Sequence, residues 1–334
     1  TLQPDETKEY QWFLDHVNYL LPKQLEAEHF LNWLAYPLQN PDKRNLHAFL
    51  LIGGQGIGKS ILYELLKPLF GEKNVSQPQN ENLSDKSTKW ARHTQIALIN
   101  ELKQEGEKGN PFYNKIKPFI TESTIQIREL FKDAYEIENY MNILAFSNEE
   151  SPINIDTHDR RWYIVKSQAT RKDDDYYKEF LQNCKEHASG VLYYLLNRDL
   201  SNYEPGMIPE KTEAKQFVID QSRSELEIWI EEQMELQVDA FEKDCIRIQD
   251  IIETVPYTSR NRANSRTVST IIRKFGGVKI DKAINIEGRI GYYYIIRNHE
   301  KYMSLEEQGK INEVIRDMYA DSKDSTNFST IDFE

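Results

Sequence analysis

The octapeptide Gly53-Gly54-Gln55-Gly56-Ile57-Gly58-Lys59-Ser60 constrains this chain more than any other feature. It satisfies GxxxxGK[ST], a pattern that chance supplies in about one chain in a hundred at average composition. Its glycines let the backbone wrap a phosphate chain with N–H groups, and the dipole of a helix starting there favours anions. Lys59 would reach the β- and γ-phosphates and the Ser60 hydroxyl would ligate magnesium, so ATP and Mg2+ are the expected ligands. Such a loop works only between a strand and a helix. Residues 47–52 are a short apolar run before it, and Ile61, Leu62, Leu65, Leu66 and Leu69 recur at helical spacing after it, until Gly71.

Residues 10–38 read as helices, and residues 95–99 and 141–146 as further strands, each closing on polar residues. Strands separated by helical stretches predict an α/β fold, a parallel sheet flanked by helices with its ligand at the strands' carboxyl ends. Glu101, just past the second strand, is placed to polarise the water that attacks a γ-phosphate. Asn100 stands where many such enzymes carry Asp and is a neutral, weaker partner for hydrated magnesium, so either the metal relies on Ser60 and water or Asn100 marks reduced hydrolysis. Asn148 ends the next strand, where an amide can hold the water or the phosphate. Arg160 and Arg161, in Asp159-Arg160-Arg161-Trp162, read as lying beyond the sheet edge, suited either to a transferring phosphoryl group on a neighbouring subunit or to a surface ion-pair cluster. Lys117 could serve similarly or simply be solvated.

Residues 124–138 alternate at Ile125, Ile127 and Leu130, then Tyr135 and Ile137, which predicts a β-hairpin with Lys132 at its tip. Residues 176–200 read as helical and 201–221 as a linker. A second domain, 222–303, follows, with helices over 225–236, 248–255 and 267–275 and a hairpin of 277–280 with 290–296. Three helices and a two-stranded wing make a winged helix, and 304–334 reads as an acidic, partly disordered tail. The net charge of −12 looks wrong for a DNA binder until it is read locally: residues 256–297 carry nine bases and two acids, a balance of +7 against −19 for the remainder. Arg260, Arg262 and Arg266 lead into the expected recognition helix and Arg289 is a candidate wing contact, with a basic solvated face or a protein-docking domain as the alternative.

The order of these motifs, P-loop, Asn100-Glu101, Ile116-Lys117-Pro118-Phe119-Ile120-Thr121, hairpin, Leu144-Ala145-Phe146-Ser147-Asn148 and Asp159-Arg160-Arg161-Trp162, resembles the superfamily 3 helicases. The likeness covers roughly residues 10–203 and is nearest to the primase-helicase branch of phages, plasmids and other mobile elements, staphylococcal cassettes and pathogenicity islands among them. It implies an AAA+ sheet and a hexameric ring with ATP bound between subunits. It implies further that Lys59, Ser60, Glu101 and Asn148 act in cis and Arg160 or Arg161 in trans, and that Phe131 and Lys132 grip DNA in the central channel. Asn100 is the departure from that pattern.

No apolar run approaches the roughly 20 residues of a membrane span, and Cys184 and Cys245 have neither zinc nor redox spacing, so a cytoplasmic protein is expected. The first residue is Thr1, which makes a longer native chain, with any priming domain upstream, part of the expectation, along with other replication proteins as partners. Against the helicase stand two readings: a nucleotide-dependent DNA-binding initiator or regulator without strand displacement, and a small-molecule phosphotransferase, which would need neither hairpin nor arginines.

Overall fold

The computed structural model describes residues 2–79, 87–102, 111–129, 131–208, 210–260, 262–286, 289–307 and 309–320. They form two compact units, Thr1–Ser222 and Arg223–Glu334. The strands of the first unit are β1 (Ala48–Ile52), β2 (Val75–Ser76), β3 (Ile96–Ile99), β4 (Thr124–Ile127), β5 (Tyr135–Glu138), β6 (Asn142–Ser147) and β7 (Trp162–Lys166). Five of them pair in parallel in the order β2-β3-β6-β1-β7, while β4 and β5 form a separate antiparallel hairpin.

Successive residues of each sheet strand enter opposite cores. Phe49, Leu51, Leu98, Leu144, Phe146, Tyr163 and Val165 pack under α1 (Gln11–Leu20), α2 (Gln24–Gln39), α3 (Leu62–Phe70), and residues of α5 (Asp174–Glu186) and α6 (Ala188–Leu196). Leu50, Ile52, Ala97, Ile99, Ile143, Ala145, Trp162 and Ile164 pack on the other face against α4 (Pro111–Thr121) and α7 (Glu213–Gln221). Helices on both faces explain why these strands read as continuous apolar runs rather than alternating ones.

Two expectations for this unit are corrected. β7 is an edge strand beside β1 that the sequence reading did not identify, and Arg160 and Arg161 precede it rather than lying beyond the sheet. The stretch 201–221 is not a linker throughout, because its last nine residues are α7. Thr212 caps that helix by accepting from the Lys215 N–H at 3.0 Å, and its hydroxyl donates to the Ile164 carbonyl. Val218 and Ile219 are buried in the second core. Tertiary burial outweighs the short, mostly polar local pattern.

The second unit contains α8 (Glu225–Leu236), β8 (Cys245–Arg247), α9 (Ile248–Thr254), α10 (Tyr257–Arg260), α11 (Ser265–Lys274), β9 (Val278–Lys279), β10 (Ile284–Ile286), β11 (Arg289–Gly291), β12 (Tyr293–Ile295), α12 (His299–Glu307) and α13 (Ile311–Ala320). An antiparallel sheet in the order β8-β12-β9 has α8, α9 and α11 packed on its Ile246/Tyr294 side. Cys245, Tyr293 and Ile295, on the other side, pack with Tyr302, Ile311 and Ile315 of α12 and α13. The expected hairpin is therefore more elaborate: β9 pairs with β12 through Lys279 and Tyr294, β10 and β11 pair with each other between them, and β8 adds a strand too short to show a period. Much of the presumed tail is helix, because α13 is amphipathic and its apolar side is covered; residues 321–334 lie outside the described residues. Among the described residues no helix is long and apolar enough to cross a membrane.

Candidate active site

β1, β3 and β6 are neighbours in a parallel sheet, so the segments leaving their carboxyl ends converge, which is where ligands of open α/β sheets bind. The segment leaving β1 turns through Gly56 (φ 77°) and Gly58 (φ 93°), left-handed conformations that strain any side chain. A Cβ on Gly58 would meet His16 Cε1 at 2.8 Å and Tyr177 Cε1 at 2.9 Å. Lys59, only 7 % exposed, folds back so that its Nζ donates to the carbonyls of Gly53 (2.6 Å) and Gly54 (2.7 Å) and to Asn148 Oδ1 (2.8 Å), beyond β6. Burial lowers its pKa to about 8. The Ser60 hydroxyl donates to Asn100 Oδ1 at 3.1 Å, beyond β3.

Glu101 has φ 54°, uncommon for a residue with a side chain and a frequent mark of functional sites. The next residue holds it there. Leu102 is fully buried, its N–H donates to the Phe146 carbonyl (2.9 Å), and its own carbonyl accepts from Ser147 Oγ (2.7 Å). The chain leaving β3 is thus stitched to β6, and Glu101 lines a cavity of about 480 Å³ together with Gln55, Gly56, Gly58, Lys59, Ser60 and Asn148. Gly53 and Gly54 contribute carbonyls to Lys59, Ile57 is buried in the first core, and Asn100 reaches the site through Ser60.

The residues fit a nucleoside triphosphate with its magnesium. The glycine turn, the buried ammonium and the neutral pair Ser60–Asn100 suit a phosphate chain and a hard cation that takes oxygen ligands. Among the described residues there is no group of three or more His, Cys, Asp or Glu that could hold a metal.

Three residues here escaped the sequence reading. Arg171 and Tyr177 line the cavity, and His16 lies against its loop, with Nε2 3.2 Å from the Gly58 carbonyl and Nδ1 2.9 Å from the Tyr176 hydroxyl. No local motif marks them, since they come from α1, from α5 and from the segment after β7.

Other candidates stand apart from the cavity. Lys117, half-buried on α4, is not in its lining. Arg160 and Arg161 sit at the amino end of β7, which pairs in parallel with β1, whereas the loop leaves the carboxyl end of β1. A five-residue strand at roughly 3.3 Å per residue puts about 16 Å between those ends. Arg161 Nη1 lies 3.6 Å from Asp159, and Arg160 is exposed, with no ion pair among the described residues.

In the hairpin, Ile125 and Ile127 are buried under the sheet, and the turn beyond them carries Phe131, fully exposed at φ 62°. Leu130 lies outside the described residues. Lys132 is not a free cation: its Nζ donates to Glu129 at 2.6 Å, and that carboxylate also accepts from the Tyr135 hydroxyl (3.1 Å) and Arg92 (3.4 Å). The Lys132 and Tyr135 hydrogen bonds hold the Glu129 pKa below its ordinary value.

In the second unit Arg266 occupies the first turn of α11, after Asn264, whose Oδ1 accepts from the N–H groups of Arg266 (3.1 Å) and Thr267 (3.0 Å). A cation there opposes the helix dipole, and no acid offsets it within the turn. Arg266 lines a cavity of about 470 Å³ with Arg247, Lys279 and Tyr292. Arg260 and Arg262 are exposed on α10 and the turn after it; Arg289 begins β11, and its side chain lies outside the described residues.

Comparison with known proteins follows the same outline. Residues 51–161, from β1 to the arginine pair, match a family of unknown function, DUF5906. Over 189 residues the chain is 29% identical to the DNA primase-polymerase of Nitratiruptor phage NrS-1, an alignment that takes in 55% of this chain and 26% of that protein. The chain therefore spans about a quarter of that relative's length. Apo structures of the NrS-1 C terminal region superpose on 88% of this chain and 77% of their own, with TM-scores of 0.64 and 0.61 at 21% identity. In fold the chain is similar to the C terminal region of NrS-1, and in sequence over part of its length to the NrS-1 phage primase-polymerase.

Proposed function

We propose that this chain is an ATP-driven DNA motor, an AAA+ P-loop ATPase of the superfamily 3 type. It works as a hexameric ring helicase in the replication of phage or other mobile-element DNA, in the host cytoplasm. The observation that carries the reading is the convergence of Lys59, Asn148, Glu101 and the Ser60–Asn100 pair at the ends of three adjacent parallel strands. The position of β1 between β6 and β7 supports the AAA+ assignment.

Lys59 and the loop N–H groups bind the phosphates, and Asn148 orients Lys59 and the γ-phosphate. Glu101 orients the attacking water. Ser60 and Asn100 would hold magnesium, which would supply charge neutralisation on the phosphates. Arg160, remote from its own subunit's cavity and with no ion pair among the described residues, supplies its guanidinium to a neighbour's nucleotide. Phe131 and Lys132 meet single-stranded DNA in the channel, and the C-terminal unit, a winged helix, meets duplex through Arg260, Arg262, Arg266 and Arg289. The similarity to a phage primase-polymerase supports the replication setting. The test is unwinding of a forked duplex with ATP, with particle mass recorded with and without nucleotide. Strand displacement by a multimer is expected; DNA binding by a monomer with no displacement would overturn the motor.

A second reading, a nucleotide-dependent DNA-binding initiator or regulator that separates no strands, is favoured by Asn100, whose neutral amide is a weaker magnesium partner than a carboxylate. Asn100→Asp is expected to lower the magnesium concentration needed for half-maximal nucleotide binding about tenfold, roughly 1.4 kcal/mol. Unchanged magnesium dependence would remove Asn100 from the cation site.

A further inference from the structure

We infer that Lys215 is a positioning residue for the arginine that serves the neighbouring subunit's nucleotide, an inference that rests on the ring ATPase reading above. Lys215 is 2 % exposed on α7, yet it has no carboxylate partner among the described residues. Its Nζ donates instead to two backbone carbonyls, those of Asp159 (2.7 Å) and Trp162 (2.8 Å). These bracket Arg160 and Arg161. Burial lowers the pKa of Lys215, and Asp159 and Asp156 oppose that shift.

A buried ammonium is costly unless its hydrogen bonds are made, so an apolar residue would serve a merely structural position more cheaply. What Lys215 adds is a cross-link over the base of the arginine turn. The rest of the turn is tied as well. Asp159 Oδ1 accepts from the N–H groups of Arg161 (2.9 Å) and Trp162 (3.1 Å), which locks the backbone on the carboxyl side of Arg160. At the far end of the same helix, Ser222 Oγ accepts from the Ile155 N–H at 3.1 Å. The helix α7 therefore grips the segment 155–162 at both ends, while the Arg160 side chain stays exposed. A guanidinium stabilises a transferring phosphoryl group only when held in place, and a displacement of about 1 Å can cost on the order of 10²-fold in rate.

The experiment compares Lys215→Met with Arg160→Ala and Lys59→Ala in the full chain, measuring ATP hydrolysis and binding of a fluorescent ATP analogue, alone and in mixed oligomers. Lys215→Met is expected to bind the analogue as wild type does and to lose hydrolysis about 10²-fold. Mixing it with Lys59→Ala is expected to restore turnover, because the Lys59→Ala subunit donates an intact arginine to the intact cavity of its Lys215→Met neighbour. Arg160→Ala should be rescued in the same way. If Arg160→Ala is rescued and Lys215→Met is not, or if Lys215→Met hydrolyses at the wild-type rate, the inference is overturned and the ring ATPase stands. If Arg160→Ala itself retains full activity, the trans arginine falls and the role of Lys215 with it. Should Lys215→Met fail to fold, Lys215→Gln, which can still donate to one carbonyl, is expected to show a smaller loss with the same rescue.

Discussion

Lys59→Ala is expected to leave the chain folded and to reduce ATP hydrolysis by at least 10²- to 10³-fold, the cost of removing one group preorganised for transition-state charge, about 3–4 kcal/mol. Unwinding should disappear with it. The effect is large because one ammonium spans the site, joining the Gly53 and Gly54 carbonyls of the loop to Asn148 at the end of β6. The same burial has a second consequence. Burial holds the Lys59 pKa at about 8 in the free protein, and phosphate oxygens beside the ammonium would raise it. Above pH 8 the nucleotide complex then holds more protons than the free protein, so affinity should fall as pH rises from 8 towards 10. Calorimetry in buffers of different ionisation enthalpy should record proton uptake on binding at pH 8.5 in wild type and none in Lys59→Met. Hydrolysis by Lys59→Ala at more than a tenth of the wild-type rate would remove the lysine from the chemistry.

Acid should weaken the first unit before the pH reaches the range in which carboxylates titrate. His16 is fully buried, and burial lowers its pKa to about 4. His29 and His47 face each other with Nε2 atoms 2.9 Å apart, and burial lowers them to about 4 and about 3. One ring of that pair donates while the other accepts, which two protonated rings cannot do. The unfolded chain protonates near 6.5, so between about 6.5 and 4 it binds more protons than the native state. Stability therefore rises with pH across that window and is lost as pH falls through it, by on the order of 3 kcal/mol for His16 alone. Urea unfolding followed by fluorescence of the buried Trp33 and Trp162 should show the midpoint dropping steadily from pH 7 to pH 5. A His29→Gln/His47→Gln double variant should flatten that slope, and a wild-type midpoint constant over the range would contradict the burial of these rings as neutral species.

The glycine turn leading to Lys59 and Ser60 was legible in the sequence because its signal is local: contiguous glycines, lysine and hydroxyl where a strand feeds a helix. The strands behind Asn100 and Asn148 were legible for a related reason, since burial on both faces writes itself as an unbroken apolar run. The helix Glu225–Leu236 showed in its own periodicity. The edge strand β7 did not, because Arg160 and Arg161 adjoin its first residue and only pairing with β1 makes those residues a strand. Nor did α7, which is short and polar and depends on burying Val218 and Ile219 beneath the sheet. His16, Arg171 and Tyr177 come to the loop from distant segments, so no spacing could announce them. The sequence by itself determined the glycine turn with Lys59 and Ser60 behind it, because those residues are adjacent in the chain. Only the tertiary structure decided that Lys132 is paired with Glu129, that Arg160 is exposed far from its own cavity, and that Lys215 braces the arginine turn, because each depends on partners brought together by packing.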